Sequence, residues 1–344
     1  MAPPSVPVPP PAYGGTETVL DTLARALQAA GHDVLLATTG DASCPVPRTW
    51  CIERAAGVGV GGTDVELRHA VHAHRAAREW DADIVHDHTM LGALLGPALA
   101  SAPVVTTNHG PFDVPALSAL FAAIADQVHI IAISADQASA AGTIPIAATI
   151  HHGVDLDRFP PGAGGGGYAL FLGRMHPDKG VHIAARVARM AEVPLLIAAK
   201  KQEPHEVEYF DAQVRPLLTS EVRYVGEVSN DDKAELLGDA MCLLNPIQWS
   251  EPFGMVMIEA MATGTPVVAT PFGSVPEIVT DARTGYLRTD ERDLARAVLA
   301  STSLDREQCR AEVQARFSAA RMAADHLDLY QRLMLRRDDV VGAA

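Results

Sequence analysis

Two glutamates, Glu251 and Glu259, bracket seven residues in SEPFGMVMIEAMATGTPVVA. Gly254 permits close backbone approach, and Met255 to Met261 is helical in composition. Gly264 stands at the position just past a helix end, and Pro266 blocks continuation. The PVVA that follows reads as a strand buried on both faces. A helix that starts after a glycine turn presents N–H groups with no intrahelical partner, so it can receive an anion. At 1.5 Å per residue the two carboxylates stand roughly 12 Å apart. Hydroxyls at both ends and an anion between them describe a nucleotide sugar: sugar, diphosphate, ribose. The same spacing also fits a surface carboxylate and a salt-bridge partner on a buried helix.

Other segments carry matching chemistry. GRMHPDKG (173–180) follows the strand-like YALFL and brings Gly173, Arg174 and Lys179 to a strand end. Arg can grip phosphate oxygens bidentately, and Lys acts as a mobile point charge. AYGGTE (12–17) sets Gly14 and Gly15 ahead of a helix, where backbone N–H groups can approach a phosphate or an acceptor; an ordinary turn would look the same. TTNHGPF (106–112) places His109 just past a strand end. In HDH (86–88), Asp87 or His88 fits either an acceptor contact or a structural hydrogen bond. HAVHAH (69–74) is a poor metal site, because His72 and His74 at i and i+2 do not face each other on a helix.

EPFGMVMIEAMATGTPVVA resembles the E-x7-E signature of retaining glycosyltransferase family 4, whose fold is GT-B. GRMHPDKG, AYGGTE, TTNHGPF and GEVSNDDKAELL (226–237) match further motifs of that family, so the resemblance runs from Pro10 to about Met334. KKQEPHEVEYFDAQVRPLL (200–218) resembles an actinobacterial branch of avilamycin-type oligosaccharide glycosyltransferases. The resemblance implies that Glu259 accepts hydrogen bonds from the ribose and Glu251 from the sugar. It implies that Phe253, Gly254 and Met255 lend N–H groups to the sugar and phosphates. Arg174 and Lys179 would neutralise the leaving diphosphate without a metal, and Gly226 and Val228 would meet the base. Gly14 and Gly15 would face the donor phosphate, and His109 the sugar. Lys200 would approach the donor or stand solvated. The implied activity is a metal-independent transfer, with retention, from a nucleoside-diphosphate sugar (UDP or GDP foremost) to a hydroxyl acceptor. No cofactor is expected. A phosphorylase- or epimerase-like enzyme on sugar nucleotides, or a non-catalytic sugar-nucleotide-binding module, remains an alternative.

The elements that must position these residues alternate. An amphipathic helix over 16–30 precedes HDVLLAT, ADIVH (82–86), PVVTTNH (103–109), HIIAIS (129–134) and AATIHHG (147–153), each strand-like. A second series follows the run Gly164 to Gly167: YALFLGR, PLLIAAK, VRYVGEV, MCLLNPI, TPVVAT and GYLR. Strands alternating with helices imply α/β architecture with parallel sheets. The expected arrangement is two doubly wound, Rossmann-like domains facing across a cleft, 1–153 and 154–317, with 318–344 holding a helix that returns to the first. Acceptor choice would reside in loops such as 40–65 and 110–120.

A chain of 344 residues with 48% apolar content can build two cores. Its net charge, 27 − 42 = −15, speaks against nucleic-acid binding and against attraction to an anionic membrane. Four cysteines without C-x-x-C spacing suit a reducing cytoplasm. No run of 18 apolar residues and no secretion signal appears. The composition does not determine the oligomeric state. MAPPSVPVP is a poor central strand, because proline cannot donate to a ladder. Five or six apolar side chains of a buried strand contribute roughly 1.5–3 kcal/mol each, on the order of 10 kcal/mol together. The family begins with such a strand, so translation from an upstream start that restores it is expected.

Overall fold

The computed structural model describes residues 1–57 and 63–342; residues 58–62, in the 40–65 loop, and 343–344 lie outside the described residues. The chain divides into two compact units. Unit 1 comprises Met1–Pro10, Gly14–Gly153 and Ala319–Ala344; unit 2 comprises Pro11–Tyr13 and Val154–Ser318.

In unit 1, β1 (Leu36–Ala37) pairs in parallel with β2 (Arg48–Thr49). A separate parallel sheet runs in the order β3 (Val85–Asp87), β4 (Val104–Thr107), β5 (His129–Ala132), β6 (Ile146–Thr149). All four residues of β4 are buried, as a strand covered on both faces requires. The helix Gly15–Ala29 turns Val19, Leu20 and Leu23 inward. The helix Ala319–Gly342 lies within the 318–344 segment expected to hold one. Its Leu329, Tyr330 and Leu333 pack on Val105, Ile131 and Ile150.

Two features of this unit depart from expectation. HDVLLAT contracts to the two residues of β1, and β2 has no counterpart in the anticipated strands. Arg48 and Thr49 are half-buried beside Pro45 and Pro47, so no apolar run announces them. On its other edge Ala2 N–H donates to the Ala37 carbonyl at 2.9 Å.

Unit 2 holds one six-stranded parallel sheet: β7 (Ala169–Arg174), β8 (Leu195–Lys200), β9 (Val222–Gly226), β10 (Cys242–Asn245), β11 (Val267–Ala269) and β12 (Gly285–Leu287). The spatial order is β12-β11-β10-β7-β8-β9. The order reverses beside β7, and at such a switch point crevices open at the carboxyl ends of the strands. β7, β8 and the helix Val181–Ala191 build the core through Phe171, Leu195, Ile197 and Val187. Each such side chain contributes about 1.5–3 kcal/mol on burial.

Candidate active site

Unit 2 gathers its charged residues at the carboxyl ends of the strands. Arg174 is the last residue of β7, and its register partner on β8 is Lys200. Lys179 closes the short turn Pro177–Lys179. Gly180 follows with φ 70°, and a Cβ there would stand 2.0 Å from the Pro246 carbonyl oxygen. That close approach, with Gln248 N–H donating to the Asp178 carbonyl at 2.7 Å, ties this turn to the loop after β10. Lys179 thereby reaches Glu251 and forms an ion pair with its Oε2. Trp249 Nε1–H donates to the same oxygen at 3.0 Å.

The Glu251 loop is clamped from behind. Ser274 N–H donates to the Glu251 carbonyl at 2.9 Å, and Ser274 Oγ donates to the Phe253 carbonyl at 2.7 Å. A Cβ at Gly273 would stand 2.3 Å from Glu251 N, so only glycine fits there. Phe253 is buried, with its ring edge-on to Phe317 at 6.1 Å. Gly254, at φ 85°, opens the helix Met255–Ala262 with no side-chain cap, so the first N–H groups stay free of a capping side chain. Gly264, at φ 83°, follows the helix end. Glu259 is buried in this helix.

Glu259 has a partner that the motifs did not announce. Lys233 Nζ lies 2.7 Å from its Oε1, and the side chains keep only 14% and 4% of their surface. Lys233 also stands 5.4 Å from the centre of the Phe159 ring. It comes from the helix Asn230–Asp239, which Ser229 caps by accepting from Asp232 N–H. Gly226, at φ 89°, ends β9, and Val228 lies between it and that cap. Removing one member of a buried ion pair leaves the other uncompensated, at a cost of about 3–5 kcal/mol. Lys233→Met is therefore expected to lower the stability of unit 2 by about 3 kcal/mol. Lys233→Met with Glu259→Leu is expected to recover most of that loss in urea denaturation.

Tyr13 belongs to the same unit. Its N–H donates to Glu227 Oε1 at 3.1 Å, and Gln202 Nε2–H donates to Glu227 Oε2 at 2.8 Å. Burial of the phenol end pushes the hydroxyl up to about 12, although the whole residue keeps 38% of its surface. The Arg174 guanidinium, which it hydrogen-bonds, opposes that rise, and the Glu251 and Glu259 carboxylates add to it. Arg174 thus bonds this hydroxyl, and the fields of Glu251 and Glu259 reach it.

Gly14, Gly15 and His109 belong to unit 1. Gly14 precedes the helix Gly15–Ala29 without a side-chain cap, and Pro10 and Glu17 leave no room for a Cβ. His109 lies just past β4 among four more histidines. His86 lies in β3 and His88 just past it, His152 follows β6, and His326 lies on the helix Ala319–Gly342. His88 Nδ1 and His109 Nε2 share a hydrogen bond of 2.9 Å, so one neutral ring donates and the other accepts. His152 stacks on His109 at 5.1 Å. His86 shares hydrogen bonds with the Tyr330 hydroxyl at 2.5 Å and the Thr107 hydroxyl at 2.8 Å. Burial pushes the His109 and His326 rings down to about 4, and pushes His86, His88 and His152 well below the usual histidine range. These rings are neutral hydrogen-bonding groups at pH 7.

The HAVHAH histidines serve three separate partners: His69 the Ala2 carbonyl, His72 the Thr49 hydroxyl and His74 the Gly92 carbonyl. Among the described residues no three His, Cys, Asp or Glu side chains are grouped to hold a metal. Among those residues, too, no helix is long and apolar enough to cross a membrane.

Comparison with known proteins agrees with this layout. Residues 13–158 match the model described as glycosyltransferase family 4, and residues 166–303 match that of the group 1 glycosyl transferases. The phosphatidyl-myo-inositol mannosyltransferase of Mycobacterium tuberculosis is 28% identical over 317 residues, covering 83% of this chain and 82% of that protein. The crystal structure of AviGT4, a glycosyltransferase involved in avilamycin A biosynthesis, matches with a TM-score of 0.75 and 26% identity. It covers 96% of this chain and 93% of that one. Anabaena HepE in complex with UDP-glucose shares the fold at a TM-score of 0.75 and 18% identity, covering 94% of this chain and 97% of that one. The chain carries a family 4 domain followed by a group 1 domain, and it is a glycosyltransferase of the GT-B fold.

Proposed function

We propose that the chain moves a sugar, with retention and without a metal, from a nucleoside-diphosphate sugar to a hydroxyl acceptor. One observation carries this reading: Arg174 at the end of β7, Lys179 paired with Glu251, and the uncapped start of the helix that bears Glu259 lie in one unit. A diphosphate suits Arg174, Lys179 and the open N-terminus of the helix Met255–Ala262. Glu251 and Glu259 then accept from hydroxyls at the two ends of the donor. UDP- and GDP-sugars are the donors in this reading, consistent with the mannosyltransferase likeness and the UDP-glucose complex of HepE. The avilamycin-type likeness of AviGT4 supports a saccharide or other small-molecule acceptor.

In the proposed step, the bond from the sugar C1 to the diphosphate oxygen breaks. The acceptor oxygen bonds C1 on the face the diphosphate leaves. The acceptor proton passes to a departing phosphate oxygen, so no side chain need become a covalent nucleophile. Arg174 and Lys179 hold the charge that grows on the diphosphate.

Thermal shift against UDP-, GDP-, ADP- and dTDP-sugars tests the donor. Binding stabilises by RT ln(1 + [L]/Kd), about 2.7 kcal/mol at a hundredfold excess over Kd. A UDP- or GDP-sugar is expected to raise the midpoint by several degrees, unchanged by EDTA. No shift with any donor, or a shift that EDTA abolishes, would count against the proposal.

A further inference from the structure

The loop that carries Glu251 starts where β10 ends, and its first residues are tied down before the carboxylate is reached. Ile247 is fully buried, and the Thr270 hydroxyl donates to its carbonyl. The Gln248 amide folds back on the loop, with Nε2–H donating to the Pro246 and Ile247 carbonyls at 3.0 and 2.9 Å. Trp249 comes next and is half-buried. Its Nε1–H meets Glu251 Oε2 at 3.0 Å, and its ring centre stands 5.1 Å from the Lys179 ammonium.

Lys179 does not orient this carboxylate by itself. An ammonium on a flexible stem is a compact charge with rotatable donors, so it holds an oxygen without fixing the plane of the carboxylate. An indole has a single donor, rigid in the ring plane. Given to an ionised acceptor, such a hydrogen bond is roughly twice as strong as one between neutral groups. The same ring lies within the distance, about 6 Å, at which tryptophan attracts a cation. One side chain thus holds both members of the Lys179–Glu251 pair. Both contacts fall on Glu251 Oε2 and use the two lone pairs of that oxygen, while Oε1 takes part in neither. The paired side chains keep only 14% and 11% of their surface, so little water competes for them.

We propose that Trp249 is a positioning residue, whose indole N–H and ring fix Glu251 and Lys179 so that Glu251 Oε1 alone is presented to the donor sugar. This rests on the reading of Glu251 as the acceptor of sugar hydroxyls. Trp249 acts through Glu251 and Lys179 and need not touch the sugar itself. Trp249→Phe separates its two contributions: it keeps a ring for Lys179 and removes the N–H. One lone pair of Oε2 is then open, and the carboxylate is free to turn. The sugar end of the donor loses its fixed acceptor, while the groups that hold the nucleotide are unchanged.

The test is a double-mutant cycle with a second, turnover-free readout. Trp249→Phe is expected to lower kcat/KM for the nucleotide sugar about tenfold, the size expected for a lost hydrogen bond to a charged group. Inhibition by the free nucleoside diphosphate is expected to change less than about twofold. Adding Trp249→Phe to Glu251→Gln is expected to cost nothing further, because the N–H acts through that carboxylate. The second readout is the set of indole N–H signals in a heteronuclear NMR spectrum. The chain has three tryptophans, so Trp249→Phe assigns the signal by its disappearance. Glu251→Gln, which leaves Trp249 in place, is expected to move that signal upfield and to leave those of Trp50 and Trp80 where they are. Losses that multiply in the double variant, or an indole signal indifferent to Glu251→Gln, would overturn the proposal. Turnover of no UDP- or GDP-sugar would count against the donor reading instead, and the indole signal would still decide for or against Trp249.

Discussion

Arg174→Ala lowers kcat by roughly 10²–10³-fold while weakening donor binding less than about tenfold. Arg174 ends β7 and hydrogen-bonds the Tyr13 hydroxyl. The charge on the diphosphate is partly spread in the ground state and concentrated on the departing oxygens as the bond to C1 breaks. A guanidinium fixed at a strand end therefore stabilises the transition state more than the bound donor. Loss of one preorganised donor of this kind typically costs about 2.7–4 kcal/mol of barrier. Lys179 makes a less clean probe, because it is ion-paired with Glu251 and its removal strands a carboxylate. Steady-state kinetics with a donor titration separates the two effects. A rise in KM with kcat intact would assign Arg174 to ground-state binding.

The second large effect is acid unfolding of unit 1. His86, His88, His109, His152 and His326 are held neutral by burial, with His109 and His326 at about 4. An unfolded chain titrates the same rings near the ordinary 6.5, so between that value and 4 it binds protons the folded state refuses. Stability is then intact above pH 6.5 and lost as pH falls below it. Each ring contributes about 1.4 kcal/mol per pH unit in this window. Two rings suffice to remove about 3 kcal/mol per pH unit, against a total near 5–15 kcal/mol. Asp87 opposes one ring: burial raises it to about 6, so between 6 and its ordinary value the folded state holds the extra proton. The expected midpoint for unit 1 is near pH 5. Fluorescence of Trp50 and Trp80, both in unit 1, follows it against the far-ultraviolet signal of the whole chain. Stability that stays level from pH 7 to 4.5 would contradict the neutral assignment.

Much of this was legible because parallel strands buried on both faces leave continuous apolar runs. ALFLGR, LLIAAK and CLLN each emerged as a strand; Arg174 closes the first, and Glu251 lies in the loop after the last. Glycines gave the local geometry: Gly264 has the positive φ favoured just past a helix end, and Gly254 the positive φ of the turn before a helix. Lys233 was hidden because its partner is 26 positions away and their meeting depends on how two helices pack. In SNDDKAELL it looks like any solvated helix lysine. Tyr13 was hidden in the same way, since its site partners come from distant strand ends. The histidine group had a usable signal. HDH, NHG and HHG all stand at carboxyl ends of strands in one parallel series, and neighbouring parallel strands bring such ends together. His326 had none, because its helix comes back from the other end of the chain. β1 fell short of HDVLLAT because a strand needs partners on its edges as well as apolar side chains.

The most direct test is release of nucleoside diphosphate from UDP- and GDP-sugars, with EDTA present, with and without a panel of saccharide and small-molecule alcohols. Release accelerated by at least one acceptor is expected, with the new glycoside keeping the anomeric configuration of the donor by proton NMR. An inverted product, or release that no acceptor accelerates, would contradict the account.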